Sequence, residues 1–205
     1  TANFNYQNKY IVSGSFRRDG SSRFGANNKY GDFWAVGASW NLDQEDFIKR
    51  MELFSQLKLR ASYGVNGNAN IGNYDWLPLY GYGNNYNQQP GSGPSNVGDS
   101  NLTWELNKPF NVGIDVSVLQ NRINLSVEYY ERKSEDLLLN VPLSRTSGFT
   151  TATRNIGEME NKGVEITLNV VPVRSKNFNW IVDFNFANNK NTITSLPGGN
   201  DIADP

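Results

Sequence analysis

The sequence of 205 residues contains neither cysteine nor histidine. Disulfides, thiolate nucleophiles, Ser-His-Asp triads and histidine-bearing metal sites each need one of those side chains, so all are excluded. Charge of one sign is also missing. The 19 Lys and Arg stand against 20 Asp and Glu, a net charge of −1, which leaves no basic field to hold nucleic acid. Nor is there an apolar run of about 18 residues. With a mean hydropathy of −0.58, no membrane-spanning helix is expected. A transmembrane β-barrel escapes that exclusion, because its strands alternate lipid-facing with lumen-facing residues and look hydrophilic on average.

What is abundant suits strands and turns: aromatic residues at 13%, 19 glycines and many asparagines. Residues 3–17 alternate almost without fault, with Phe4, Tyr6, Tyr10, Val12 and Phe16 on one face and mainly polar side chains on the other. Such a run predicts one long strand, too long for a typical soluble sheet. The pattern recurs over 33–42, 57–65, 104–118, 123–132, 162–171 and 180–190, giving about seven clear strands. An eighth apolar set, Leu137, Leu139, Val141 and Leu143, contains Pro142, which demotes it to an edge, a loop hairpin or a strand end.

Connections alternate in length. Leu119–Arg122 is a tight turn and 172–179 a modest one, whereas 66–103 and 132–161 are long. Outer-membrane barrels have short periplasmic turns and long extracellular loops, so strand 3–17 is expected to run outward and its successors to alternate. Phe4, Tyr6, Tyr10, Val12, Val36, Leu59, Ile114, Val116, Val127, Ile166 and Phe184 are then expected to face lipid. Lys9, Lys58, Arg60, Asp115, Glu128, Glu165 and Asp183 are expected to line the lumen. Residues 43–56 place Phe47, Ile48, Met51 and Phe54 at helical spacing, with acids early and Lys49 and Arg50 later. That predicts a short helix on a periplasmic turn.

Aromatics such as Trp34, Trp40, Trp104, Tyr129, Tyr130 and Trp180 suit interfacial girdles. Trp76, Tyr80, Tyr82 and Tyr86 differ, because they lie in the long loop 66–103 among Asn, Gln and Gly. Aromatic faces beside amides are what sugar or peptide recognition uses, so these four are the candidate substrate or lid contacts; packing within the loop is the alternative. The glycines of segment 17–25 sit between strands and lack the Gly-Lys-Ser/Thr order of a phosphate loop. Segment 155–163 lacks the spacing of a Ca²⁺ loop.

The segments RRDGSSRFG (17–25), LKLRASYGVNGN (57–68), LTWE (102–105), NVGIDV (111–116), NIGEMENKGVEITL (155–168) and FANNKN (186–191) resemble successive blocks of SusC/RagA-type TonB-dependent outer-membrane transporters. The likeness runs in order over nearly the whole sequence. It implies an all-β fold, residues 1–205 forming part of a 22-stranded transmembrane antiparallel barrel of which about 7–8 strands are present. It also implies nutrient uptake across the outer membrane of a Bacteroidetes-type bacterium, a SusD-like surface lipoprotein as lid, energy from the TonB complex, and a glycan or peptide as substrate. Outer-membrane lipid is the expected surround. The plug domain and TonB box of the family are not matched here, and the closing Asp201–Pro205 completes no element, which predicts a part of a longer protein. No catalysis, cofactor, metal or nucleic acid is expected. The alternative is a secreted β-sandwich carbohydrate-binding module, for which similar loop lengths at both ends would be expected.

Overall fold

The computed structural model describes residues 1–196; Asp201–Pro205 lie outside the described residues. Eight strands, all but the first long, form one antiparallel sheet in the order β1-β2-β3-β4-β7-β8-β11-β12. They are β1 (Ala2–Tyr6), β2 (Tyr10–Gly20), β3 (Tyr30–Asn41), β4 (Phe54–Asn68), β7 (Glu105–Val118), β8 (Ile123–Glu135), β11 (Glu158–Arg174) and β12 (Asn179–Ser195). Two small hairpins, β5 (Leu79–Tyr82) with β6 (Ser92–Asn96) and β9 (Leu138–Pro142) with β10 (Thr151–Asn155), decorate the loops. Among the described residues the long strands all belong to this one sheet, and the other two sheets are two-stranded hairpins, not the second large sheet that a sandwich requires. The Pro142 segment takes the loop-hairpin form.

Residue parity organises both faces. Tyr10, Trp40, Leu59, Ile114, Val127, Ile166 and Phe186 fall in one continuous row across seven strands. Parallel rows add Leu57, Val116, Leu125, Leu168 and Phe184 on one side and Val12, Ala38, Ala61, Val112, Tyr129 and Val164 on the other. On β7 the apolar positions run from Phe110 to Val118. That is about 26 Å of strand, or about 20 Å of height at a tilt of ~40°. Above it the same face turns charged: Lys133 pairs with Glu131 at 3.2 Å and Lys162 with Glu160 at 3.2 Å, and Lys108 is bonded to Glu135. The opposite face carries mainly Asn, Ser, Thr and charged residues.

One expectation fails and another is narrowed, each for an identifiable reason. The run 3–17 is a hairpin rather than one strand, because Gln7 and Asn8 adopt φ of 52° and 55° and the Lys9 amide donates to the Tyr6 carbonyl at 2.9 Å. The turn pairs Tyr6 with Tyr10, residues of equal parity, so the alternation passes through it unbroken. The segment 43–56 is also less helical than its spacing suggests. A 3₁₀ turn, Leu42–Gln44, precedes a four-residue helix α1 (Asp46–Lys49), and Glu52 at φ 49° ends it. Phe54 and Gln56 are instead drawn into β4, opposite Val118 and Ser117.

Pro109 lies inside β7, in register with Arg132 of β8, and the β4–β7 pairing breaks beside it, resuming at Asn66 and Asn107. A proline has no N–H to donate to that side of the ladder.

Candidate functional site

On the polar face, β4, β7 and β8 bring Arg60, Asp115 and Glu128 together. Arg60 Nε donates to Asp115 Oδ2 at 3.2 Å and its Nη1 is bonded to Glu128 Oε2. The Ser126 hydroxyl donates to Asp115 Oδ1 at 2.7 Å, so the aspartate is held from two strands. Gly113 occupies the register position between Arg60 and Glu128, and the absence of a side chain there lets the guanidinium cross β7. Lys58 is in register with Asp115, and Glu165 with Glu128. Asp183 lies farther along, accepting from the Asn169 amide at 2.7 Å. Tyr130 also occupies this face, over Gly163, so it cannot join an outer girdle.

Lys9 is not brought to this group. It sits in the hairpin turn, where its Nζ reaches Glu45 at 3.0 Å. The same carboxylate accepts from the Tyr10 hydroxyl at 2.8 Å and the Trp40 indole at 3.1 Å, both rooted on the apolar face. Outside a strand, alternation no longer dictates side-chain direction, and the acid at position 45 decides where Lys9 points.

The long-loop end holds the chain's buried aromatic cluster: Phe24, Phe33, Leu102 and Trp104, with Trp76, Ile71 and Leu106 packed against it. Trp104 meets Phe24 and Phe33 at centroid distances of 5.3 and 5.2 Å in tilted and edge-on arrangements. Gly67 makes room, since a Cβ there would lie 2.1 Å from the Phe33 ring. Phe33 projects from the polar side of β3, so the cluster sits on the polar side of the sheet at its long-loop end. Trp104 is therefore buried in loop packing rather than set in a girdle.

Segment 69–104 is tied down around this cluster. Arg23 Nη1 donates to the Ala69 carbonyl at 3.0 Å, Asn155 exchanges hydrogen bonds with the Thr103 backbone at 2.8 and 2.9 Å, and Arg154 is bonded to Asp99. The loop aromatics divide accordingly. Trp76 is half-buried against the cluster, whereas Tyr80, Tyr82 and Tyr86 are 70%, 95% and 86% exposed on the β5–β6 hairpin. A tight turn from Tyr86 to Gln89, with Asn87 and Gln88 at positive φ, forms the tip. Three exposed phenols on one ordered hairpin offer stacking faces and hydrogen-bonding tips to a ligand or partner. No sequence signal pairs Phe33 with Trp104, because they are remote in sequence and one stands on an otherwise polar face.

Residues 1–205 match the family described as "TonB dependent receptor-like, beta-barrel". The chain is 40% identical over 193 residues to TonB-dependent receptor P39 of Formosa agariphila, covering 94% of this chain and 19% of that protein. It is 36% identical over 207 residues to TonB-dependent receptor SusC of Bacteroides thetaiotaomicron, covering 97% and 21%. Among solved structures it resembles the RagAB peptide transporter, with 34% identity and a TM-score of 0.89 over 97% of this chain and 22% of that one. The chain thus spans about a fifth of the length of these relatives.

Proposed function

We propose, from the premise that this chain belongs to the TonB-dependent receptor β-barrel family, that it forms part of the wall of an outer-membrane importer. The apolar face meets lipid, and the face carrying Lys58, Arg60, Asp115, Glu128, Glu165 and Asp183 lines the lumen. Loops 21–29, 69–104 and 136–157 are extracellular, and the connections at the other end of the sheet, 42–53 among them, are periplasmic. Uptake is driven through TonB and assisted by a SusD-like surface lipoprotein, with a glycan or a peptide as cargo. One similar structure is described as a peptide transporter, which supports the peptide class. The protein moves its substrate without making or breaking covalent bonds.

The observation that carries this reading is the sheet itself: a continuous apolar band on one face, a mainly polar opposite face, and the two longest connections, 69–104 and 136–157, at the same end. Lid or cargo contact falls to Tyr80, Tyr82 and Tyr86, with Trp76 holding the hairpin's base. Replacing Tyr82 and Tyr86 together by alanine in the full-length transporter should lower uptake or lid affinity while leaving outer-membrane levels unchanged. Uptake of labelled oligosaccharides and oligopeptides by whole cells, with quantification of the purified membrane, measures both. Normal uptake of both cargo classes together with normal lid affinity would reduce the hairpin to scaffold.

A further inference from the structure

Resting on the membrane reading above, we propose that segment 46–53 is an interfacial foot, seated outside the wall among zwitterionic phospholipid headgroups at the short-turn rim. Its position follows from Glu45. That carboxylate binds the Tyr10 hydroxyl and the Trp40 indole, whose rings stack at 5.9 Å on the apolar face. Asp43 meanwhile accepts from the Leu57 amide at 3.2 Å, where β4 runs on past the end of β3. The chain leaving Glu45 is therefore anchored to the lipid side of the sheet.

The composition of the segment suits that place. Phe47 and Met51, four residues apart and thus on one side of a helical turn, are 60% and 57% exposed, and Leu53 is 47% exposed. Among the described residues, Lys49 and Arg50 enter no ion pair. Asp46 and Glu52 flank them, both exposed. Exposed apolar side chains continuous with a lipid-facing wall, beside exposed charges of both signs, complement a headgroup that carries a phosphate and an ammonium. Lys49 and Arg50 bind the phosphate, Asp46 and Glu52 the ammonium, and Phe47 and Met51 enter the acyl boundary.

The test uses full-length protein with a single cysteine, spin-labelled in turn at position 51 (Met51→Cys), at position 114 (Ile114→Cys) and at position 176 (Lys176→Cys). The protein is reconstituted in nanodiscs of phosphatidylcholine and phosphatidylethanolamine. Collision with oxygen and with a water-soluble nickel chelate reports depth. The label at 51 should be several-fold more accessible to oxygen and less accessible to nickel than that at 176. The double variant Lys49→Glu, Arg50→Glu should reverse that preference. Nickel access at 51 equal to that at 176 overturns the proposal, as does protection from both reagents, which would mean that protein covers the segment. An unchanged signal in the double variant overturns the headgroup assignment. The label at 114 separates the two readings: if it is not lipid-exposed, the membrane reading fails, whereas lipid exposure at 114 with water exposure at 51 defeats the foot alone.

Discussion

The guanidinium of Arg60 lies across Gly113, and a Cβ built on that glycine would stand 3.0 Å from the guanidinium carbon and 3.1 Å from the Val127 carbonyl. Arg60 thus spans β7 to join Asp115 and Glu128 in one charged group. Removing Arg60 leaves two carboxylates close together on a part-buried surface, so Arg60→Ala should cost about 1–3 kcal/mol of unfolding free energy. Gly113→Ala should cost a similar amount, and the double variant less than the sum, because the new methyl collides with Arg60. Denaturant unfolding of the detergent-solubilised protein, run as a double-mutant cycle, measures the coupling; strict additivity would deny it.

A charge placed on the apolar row tests which face meets lipid. Ile114→Arg and Ile166→Arg, in register through Val127, should each destabilise the folded barrel by about 2–4 kcal/mol if near the midplane. Glu128→Arg, one position away on the other face, should leave membrane insertion intact and change transport instead. Equal insertion defects for Glu128→Arg and Ile114→Arg would contradict the assignment.

Gly67→Ala should disorder the mouth. Its methyl would collide with the Phe33 ring at 2.1 Å and approach Trp104 at 2.9 Å, and neither ring can retreat within a packed cluster. Hydrogen exchange should rise across 69–104 while the wall strands stay protected. Exchange confined to the immediate neighbours of residue 67 would show that the loop holds without the cluster.

Segment 42–53 should loosen in acid. Hydrogen bonds from Lys9, then Tyr10 and Trp40, hold the Glu45 carboxyl below the usual carboxylate range, while Glu45 lifts the Lys9 ammonium above its ordinary value. A lowered acid stabilises the fold above its unfolded pKa and loses that contribution as pH falls through its folded value. A raised lysine does so below its unfolded pKa and loses it only in strong alkali. Between those limits the node is complete, so exchange in 42–53, corrected for intrinsic rates, should be flat near neutrality and rise below the carboxylate range. Glu45→Gln should abolish the pH dependence; persistence of the full response would assign it elsewhere.

The wall strands and their two faces were legible in the sequence because a period of two is a backbone property that needs no tertiary information. What that period cannot show is a turn that preserves parity, which is why residues 3–17 read as one strand despite the reversal at Gln7 and Asn8. The helical spacing of 43–56 was outweighed by pairing: Phe54 and Gln56 satisfy backbone groups of β7 as strand residues. In the candidate site, the loop aromatics were found by composition, but their division was not. Whether Trp76 packs inward while Tyr82 stands free depends on Phe33 and Trp104, whose meeting is set by the loop's return path.

Shared parity across seven strands also governs which changes of length this chain can accept during evolution. Deleting one codon inside β8 would turn every later residue of that strand to the opposite face, whereas deleting two would restore the facing and shift only the height. The irregular steps lie near strand ends, between Phe54 and Gln56, Glu158 and Met159, and Val170 and Val173, where an odd residue can be absorbed without inverting the strand's middle. Loop 69–104 obeys no such arithmetic. Relatives of this chain should therefore differ by even-numbered steps within the wall and by any number at the mouth.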